Sequence, residues 1–284
     1  MKQFILLAAL AAAPPQQQTL PAPADRPVIA VCGGAANLAR QAASAANGSD
    51  ALYREAVAAA TDCIGKGGGS DGLIVRAEAQ YALRNSDAAI ADESRSLALR
   101  ADSPTTLYNR AIAYRHKVQY APALRDLAEA IRRAPSVTYY REQGLILTQQ
   151  GDDAEAVGAY DSALALAPDD GASLNGACWS RGVVNKELDT ALSLCRQGVA
   201  VRPKSAATVD SLGFVQFRMN NLAGALASYN AALSLAPKQA GSLYMRGIVK
   251  LRLGNKTDGA ADLAVAAVLD PGVADTYRRY GVSP

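Results

Sequence analysis

This chain is short of the residues that most chemistry uses. It has one histidine, His116, and no serine or cysteine constellation matched to it. A general base needs a partner within hydrogen-bond reach, so His116 reads better as a solvated or groove-lining side chain. The four cysteines include no CxxC spacing and stand far from His116 in sequence, which argues against a zinc site. Gly67-Gly68-Gly69 follows Lys66, but no strand leads into it and the GxxxxGK[ST] frame of a phosphate loop is missing. It reads as a flexible helix stop. The acidic run Asp152-Asp153-Ala154-Glu155 falls at a helix start, where carboxylates favour the macrodipole, so capping explains it better than metal binding. The sequence therefore predicts no catalytic residue, no metal, no cofactor and no enzyme.

Net charge is also small, at +3 over 284 residues, which supplies no electrostatic drive toward nucleic acid. Only 6% of residues are aromatic, while half are hydrophobic and alanine dominates. That composition suits close-packed small-residue helices better than a sheet core. The charge that exists is unevenly spread. Residues 100–141 hold eight basic and three acidic residues, and residues 142–171 hold seven acidic residues with no Lys or Arg. These runs read as solvated helix faces or as patches for a polar partner, the former being simpler because they fall on both helices of their repeats.

The first residues have the pattern of an export signal. Lys2 is a basic start, Phe4 to Ala13 is an apolar run too short to span a bilayer, Pro14-Pro15 stops a helix, and Ala22-Pro23-Ala24 is a small-x-small cleavage site. Ala9-Leu10-Ala11 also fits but would make the signal unusually short, and an uncleaved surface tail is the alternative. Val31 before Cys32 does not fit a lipobox. The expectation is a signal over 1–24, a linker over 25–33 and a periplasmic or otherwise exported protein. No later segment has 18 unbroken apolar residues, so no stable membrane insertion is expected after signal removal.

What the chain does have is a period. Pro135, Pro168, Pro203, Pro237 and Pro271 are separated by 33, 35, 34 and 34 residues, a spacing typical of stacked helical repeats. With the proline as position 32, units start at Ser70, Pro104, Val137, Gly171, Ala206 and Ala240, and one extra residue falls near Asn185. Small residues recur at position 8 (Ala77, Ala111, Gly144, Cys178, Gly213, Gly247), position 20 (Ala89 through Gly259) and position 27 (Ser96 through Ala266). Helices approach to about 8 Å only where small side chains meet. Arg84-Asn85, Gly151-Asp152, Asn220-Asn221 and Gly254-Asn255 stand where the first helix of a unit must turn into the second.

Leu212-Gly213, Ala225, Tyr229, Ala232 and Pro237, with Gly247, Leu263, Ala266 and Pro271, resemble the marked positions of the tetratricopeptide repeat. The resemblance covers about residues 70–273 and implies an all-α, right-handed α-solenoid of helix-turn-helix units. Six units are expected over 70–273, a degenerate helical hairpin over 34–69 with Asn47-Gly48 as its turn, and a short C-terminal capping helix within 274–284. Glu93 at position 24 and Gly259 at position 20 depart from the pattern and suggest looser first and last units.

Cys32 and Cys63 fall at neighbouring ends of the N-terminal hairpin, and Cys178 and Cys195 at facing positions of one repeat. Of three possible pairings, only this one keeps each disulfide within a hairpin, and export would permit both. Four buried free thiols are the alternative.

By resemblance, positions 5, 9 and 12 of each first helix line a concave, ligand-binding surface. Position 5 holds Tyr108, Arg141 and Tyr244; position 9 holds Ile112, Leu145, Trp179, Phe214 and Ile248; position 12 holds Phe217 and Leu251. Trp179 is the only tryptophan. An apolar stripe of this kind is either an exposed docking face or a column buried between adjacent first helices, and both readings stand at this point. The family's carboxylate clamp, with Lys at position 5 and Asn at position 9, is missing apart from Asn175 at position 5. The implied function is a non-catalytic scaffold binding a protein or peptide segment. The alternative is a structural or oligomerising subunit of an envelope assembly that uses its ends or convex face. Oligomeric state is not set by the sequence.

Overall fold

The computed structural model describes residues 32–45 and 49–284. The predicted signal, most of the linker and the Asn47-Gly48 turn lie outside the described residues. Among the described residues every regular element is a helix. The chain divides into two compact units, with a boundary between Glu142 and Gln143 inside one helix.

The first unit contains α1 (Gly33–Ser44), α2 (Asp50–Gly65), α3 (Gly69–Ala82), α4 (Ser86–Leu99), α5 (Pro104–His116), α6 (Tyr120–Arg133) and the start of α7 (Val137–Gln150). The second holds the rest of α7, then α8 (Asp153–Leu166), α9 (Gly171–Val184), α10 (Leu188–Val201), α11 (Ala206–Arg218), α12 (Leu222–Leu235), α13 (Ala240–Arg252), α14 (Lys256–Leu269) and the seven-residue α15 (Val273–Arg279). Within each unit consecutive helices pack in pairs, and each second helix packs on the next first helix.

Local chemistry sets the boundaries. Side-chain oxygens of Ser49, Asn85, Ser103, Asp170, Ser205 and Asn221 each accept the N–H three residues on, capping α2, α4, α5, α9, α11 and α12. The inter-helix turn repeats one backbone state. Position 15 has positive φ in all six units, at Arg84, Val118, Gly151, Asn185, Asn220 and Gly254. Glycine and asparagine adopt that state cheaply, whereas arginine and valine do not. The extra residue of the Gly171 unit is absorbed at this turn, where Glu187 also takes positive φ.

The small residues sit where helices cross. Ala77, Ala89, Ala111, Ala123, Ala156, Ala163, Ala191, Ala225, Ala232 and Ala266 are all fully buried. A Cβ on Gly144 would lie 2.8 Å from the Tyr160 ring, and one on Gly213 would lie 3.1 Å from the Tyr229 ring, so these glycines make room for the position-24 aromatics. The last repeat is not looser. A Cβ on either Gly247 or Gly259 would lie 2.9 Å from the other's carbonyl oxygen, so α13 and α14 approach backbone to backbone. Gly259 is the reason for that closeness.

Candidate functional site

In the second unit the first helices α9, α11 and α13 bring Trp179, Phe214, Phe217, Tyr244 and Ile248 into one buried cluster. Trp179 stacks on Phe214 with centroids 4.9 Å apart and planes at 30°. Gly182 permits this, since a Cβ there would stand 3.1 Å from the Phe214 ring. Arg252 lies 4.5 Å over the Phe217 ring and Arg218 5.0 Å over the Phe214 ring, both in cation–π range. Counting both units, seven predicted lining residues are buried: Tyr108, Ile112, Trp179, Phe214, Phe217, Tyr244 and Ile248 are each at most 8% exposed.

Neighbouring first helices are only part of that cover. The C-terminal segment lies on the column and completes it. Tyr277 stacks on Tyr244 at 5.3 Å and stands edge-on to Phe214 at 6.1 Å. Tyr280 stands edge-on to Trp179 at 5.8 Å and 84°. Val282 is buried in the same cluster. Arg218 donates Nη2–H to the Tyr280 carbonyl and Nε–H to the Gly182 carbonyl at 3.0 Å. Gly241 is what admits Tyr277, because a Cβ there would be 2.9 Å from the phenol oxygen. The sequence pattern assigns these tyrosines to a terminal cap; their reach back to α9 is the finding. The available signal is two aromatics three residues apart in a chain with few.

Two carboxyls sit beside this segment. Burial pushes Asp210 up to about 6, against a hydrogen bond from Ser242 Oγ that lowers it. Burial also raises Asp153 to about 6, with Ser180 Oγ donating at 3.1 Å and lowering it and nearby Asp152 raising it. Burial, then the Asp153 charge, push the Tyr280 phenol up to about 12, with Arg279 lowering it. Burial raises Tyr277 as well, so both phenols are neutral at pH 7.

Leu251 does not join the column. It turns toward Gly259, where a Cβ would be 2.8 Å from its Cγ, so it fills the α13–α14 crossing. Leu145 is half-buried in the second unit.

In the first unit the corresponding positions are more polar, apart from the buried Ile74 and Ile112. Tyr108 is buried and pairs with Tyr139 at 5.1 Å. Arg141 is half-buried. Arg115 Nε donates to Glu142 at 2.5 Å, with both side chains at most 11% exposed. His116 Nε2 and the Tyr81 hydroxyl are 2.5 Å apart. Burial first, then the charges of Arg115 and Arg84, lower His116 to about 4, so the ring is neutral at pH 7. His116 is exposed, and the Tyr81 hydroxyl anchors its ring.

Behind this face lies Glu93, 1% exposed at the position where other units place Leu127, Tyr160, Tyr229 or Leu263. Three further residue pairs join first to second helix at positions 7 and 23: Arg76 with Asp92, Arg110 with Asp126, and Arg246 with Asp262. No group of three His, Cys, Asp or Glu side chains among the described residues could hold a metal ion.

The cysteines stand in two pairs at disulfide-bonding distance, Cys32 with Cys63 and Cys178 with Cys195, each with Cα atoms 5.3 Å apart. Gly68 has a packing role as well as ending a helix. A Cβ there would collide with the sulfurs of both Cys32 and Cys63.

Two stretches, residues 108–171 and 212–274, match the family model of the tetratricopeptide repeat. With the helical pairs, the turns and the crossings described above, they make this chain a tetratricopeptide repeat protein. No curated protein matches it. Among solved structures it is similar to one from the APC/C hetero-tetramer Cut9-Hcn1, with TM-score 0.64 and 16% identity over 81% of this chain. That match spans only 48% of the other chain. A tetratricopeptide repeat protein from Parabacteroides merdae aligns over 87% of this chain and 99% of its own, with TM-score 0.63 and 16% identity. YrrB, described as having an unusual peptide-binding site, aligns over 69% of this chain and 97% of its own, with TM-score 0.56 and 18% identity. At these identities the likeness is one of fold.

Proposed function

We propose that this protein is a non-catalytic, exported adaptor that holds a short protein segment against its first helices. One observation carries the reading. The aromatic column of Trp179, Phe214 and Tyr244 holds a short segment already, the chain's own Tyr277 to Val282. A face that seats one helical turn through two aromatic rings and a backbone carbonyl has the chemistry of helix-in-groove recognition. The peptide-binding site named for the similar YrrB structure supports the same reading. Export is supported by the basic-apolar-small pattern of residues 2–24 and by two cysteine pairs placed to oxidise. In the first unit, Tyr108, Ile112 and Arg141 form a separate, more polar stretch on that unit's own first helices.

A second reading has its own observation. The outward side of α14 is bare and apolar: Ala260, Ala261, Ala264, Val265, Ala267, Val268 and Leu269 are all exposed, Val268 to 83%. Such a face suits end-to-end association in an envelope assembly.

Photocrosslinkers at Arg141 and Asn175, with Ala261 as the comparison site, separate the two in cells. The adaptor reading expects one distinct protein trapped from Arg141 or Asn175 and none from Ala261. A second copy trapped from Ala261 alone would replace it with the architectural reading.

A further inference from the structure

We propose that the C-terminal segment, residues 273–282, is a resident and displaceable ligand of the aromatic column, and that the partner it excludes is a protein segment with two aromatic side chains three residues apart. The inference rests on the adaptor reading and adds the ligand's chemistry and its control.

A terminal helix of a repeat array normally covers the last apolar face. This one does not. α14 keeps Val265, Val268 and Leu269 exposed. The segment instead directs Tyr277 to α11 and α13, and Tyr280 to α9. Its contacts are those of a bound peptide. Two rings enter the column, a carbonyl accepts from Arg218, and Val282 closes the end. The opposite side is solvent-facing and charged, with Asp275, Arg278 and Arg279 exposed.

The segment is also built to leave. α15 has seven residues, too few to be stable as a helix away from the column. Pro271-Gly272 joins it to α14, Gly281 takes φ 73 just after Tyr280, and Ser283 and Pro284 are exposed. Tyr280 itself is half-buried. Release would uncover Trp179, Phe214 and Tyr244 together, a cluster of the residue types that dominate binding hot spots. Because the segment is tethered, it competes at a high effective concentration. A partner's apparent affinity falls by the fraction of time the column is open.

The occupant defines what fits. Aromatics at i and i+3, an aliphatic residue at i+5, and a free backbone carbonyl for Arg218 are the pattern of Tyr277, Tyr280 and Val282.

The test uses the full chain and a labelled synthetic peptide of residues 272–284. Trp179, the only tryptophan, reports cover directly through iodide quenching. In wild type Trp179 is expected to be shielded and the peptide to bind weakly. In the full-length Y277A/Y280A variant Trp179 becomes quenchable. The peptide should then bind at least tenfold more tightly than to wild type and restore shielding, while a peptide with both tyrosines changed to serine does not. Circular dichroism confirms that the variant is folded. Tyr280→Ser alone, a milder change at a half-buried site, should move both readouts in the same direction.

Equal peptide affinity in wild type and both variants overturns the proposal, as does unchanged quenching. So does a wild-type dimer by light scattering that dissociates in Tyr280→Ser, because the excluded partner would then be a second copy. A crosslinked partner combined with unchanged peptide affinity would leave an adaptor face that the tail does not guard. Tail-dependent peptide binding with no crosslinked partner would instead count against the adaptor reading alone.

Discussion

Arg110 grips Asp126 through two parallel bonds, Nε to Oδ2 at 2.7 Å and Nη2 to Oδ1 at 2.8 Å. Arg76 and Arg246 do the same to Asp92 and Asp262, with all four bonds at 2.7 Å. Each pair ties the first helix of a unit to the second where both side chains are mostly buried. A bidentate geometry of this kind is among the stronger ion pairs, and removing one partner strands the other. Arg110→Ala should therefore cost about 2 kcal/mol in urea unfolding, more than an exposed ion pair contributes. Replacing Arg110 and Asp126 together by Met and Leu should recover most of that loss. Equal costs for the single and double variants would show that the pair adds nothing.

These clasps also mark where reading the sequence stops. The proline period, the small residues at crossings and the turns at Gly151, Asn220 and Gly254 are local or periodic, so they are legible without coordinates. Arg110 and Asp126 are equally plain as letters, yet each reads alone as a solvated charge. Only the folded hairpin turns a separation of sixteen residues into contact. The aromatic column is visible at Trp179, Phe214 and Tyr244, but its cover is not, because the reach of Tyr280 to Trp179 depends on the path of a segment outside the period. Leu251 goes astray for a nearer reason: the missing side chain at Gly259 draws it away from the face that the family pattern assigns.

Val118 has φ 59, in the left-handed region that a β-branched side chain resists. Its counterpart in the Ala206 unit is Asn220, which takes the same conformation at φ 59. Val118 is also 49% exposed, so little packing is lost on replacement. Val118→Asn should stabilise the protein by about 1 kcal/mol through relief of backbone strain. Thermal unfolding checks this, with Val118→Ala as a control that keeps much of the strain. A variant no more stable than wild type would mean that the turn relaxes by another route.

The cysteine pairs are expected to be bonded in protein recovered from an oxidising compartment. Alkylation without reduction should add no mass, and alkylation after reduction should add four labels. Cys178 and Cys195 are fully buried inside one hairpin, and removing a bond of this kind typically costs about 2–4 kcal/mol. Gly68→Ala should mimic loss of the other pair, since the added methyl would stand where the sulfurs of Cys32 and Cys63 lie. Four thiols labelled in native protein recovered from such a compartment would refute the bonding.

Glu93 supplies a pH signature. Its carboxyl is 1% exposed, and among the described residues Oε2 has no hydrogen-bond partner. Burial first, and then the nearby Glu78 charge, raise its pKa well above 4.5. A group held above its unfolded value stabilises the fold fully below that value, and the contribution is lost as pH rises through the folded one. Asp153 and Asp210, both raised to about 6, add slope of the same sign between their usual 3.8 and 6. Wild type should therefore lose stability as pH rises above 4.5, from these groups together. Glu93→Leu installs the apolar residue found at Leu127 and Leu263 and should remove the Glu93 part, leaving the two aspartates. The gain should be about 1–3 kcal/mol at pH 8, by removal of a buried carboxyl with one unpartnered oxygen. It should shrink at pH 4, where Glu93 is protonated in both states and its burial costs less. Urea midpoints for both proteins from pH 4 to 8 measure the difference directly. Parallel curves would place the slope on the aspartates alone, and a less stable Glu93→Leu would mean that Glu93 is hydrogen-bonded within the hairpin rather than stranded there.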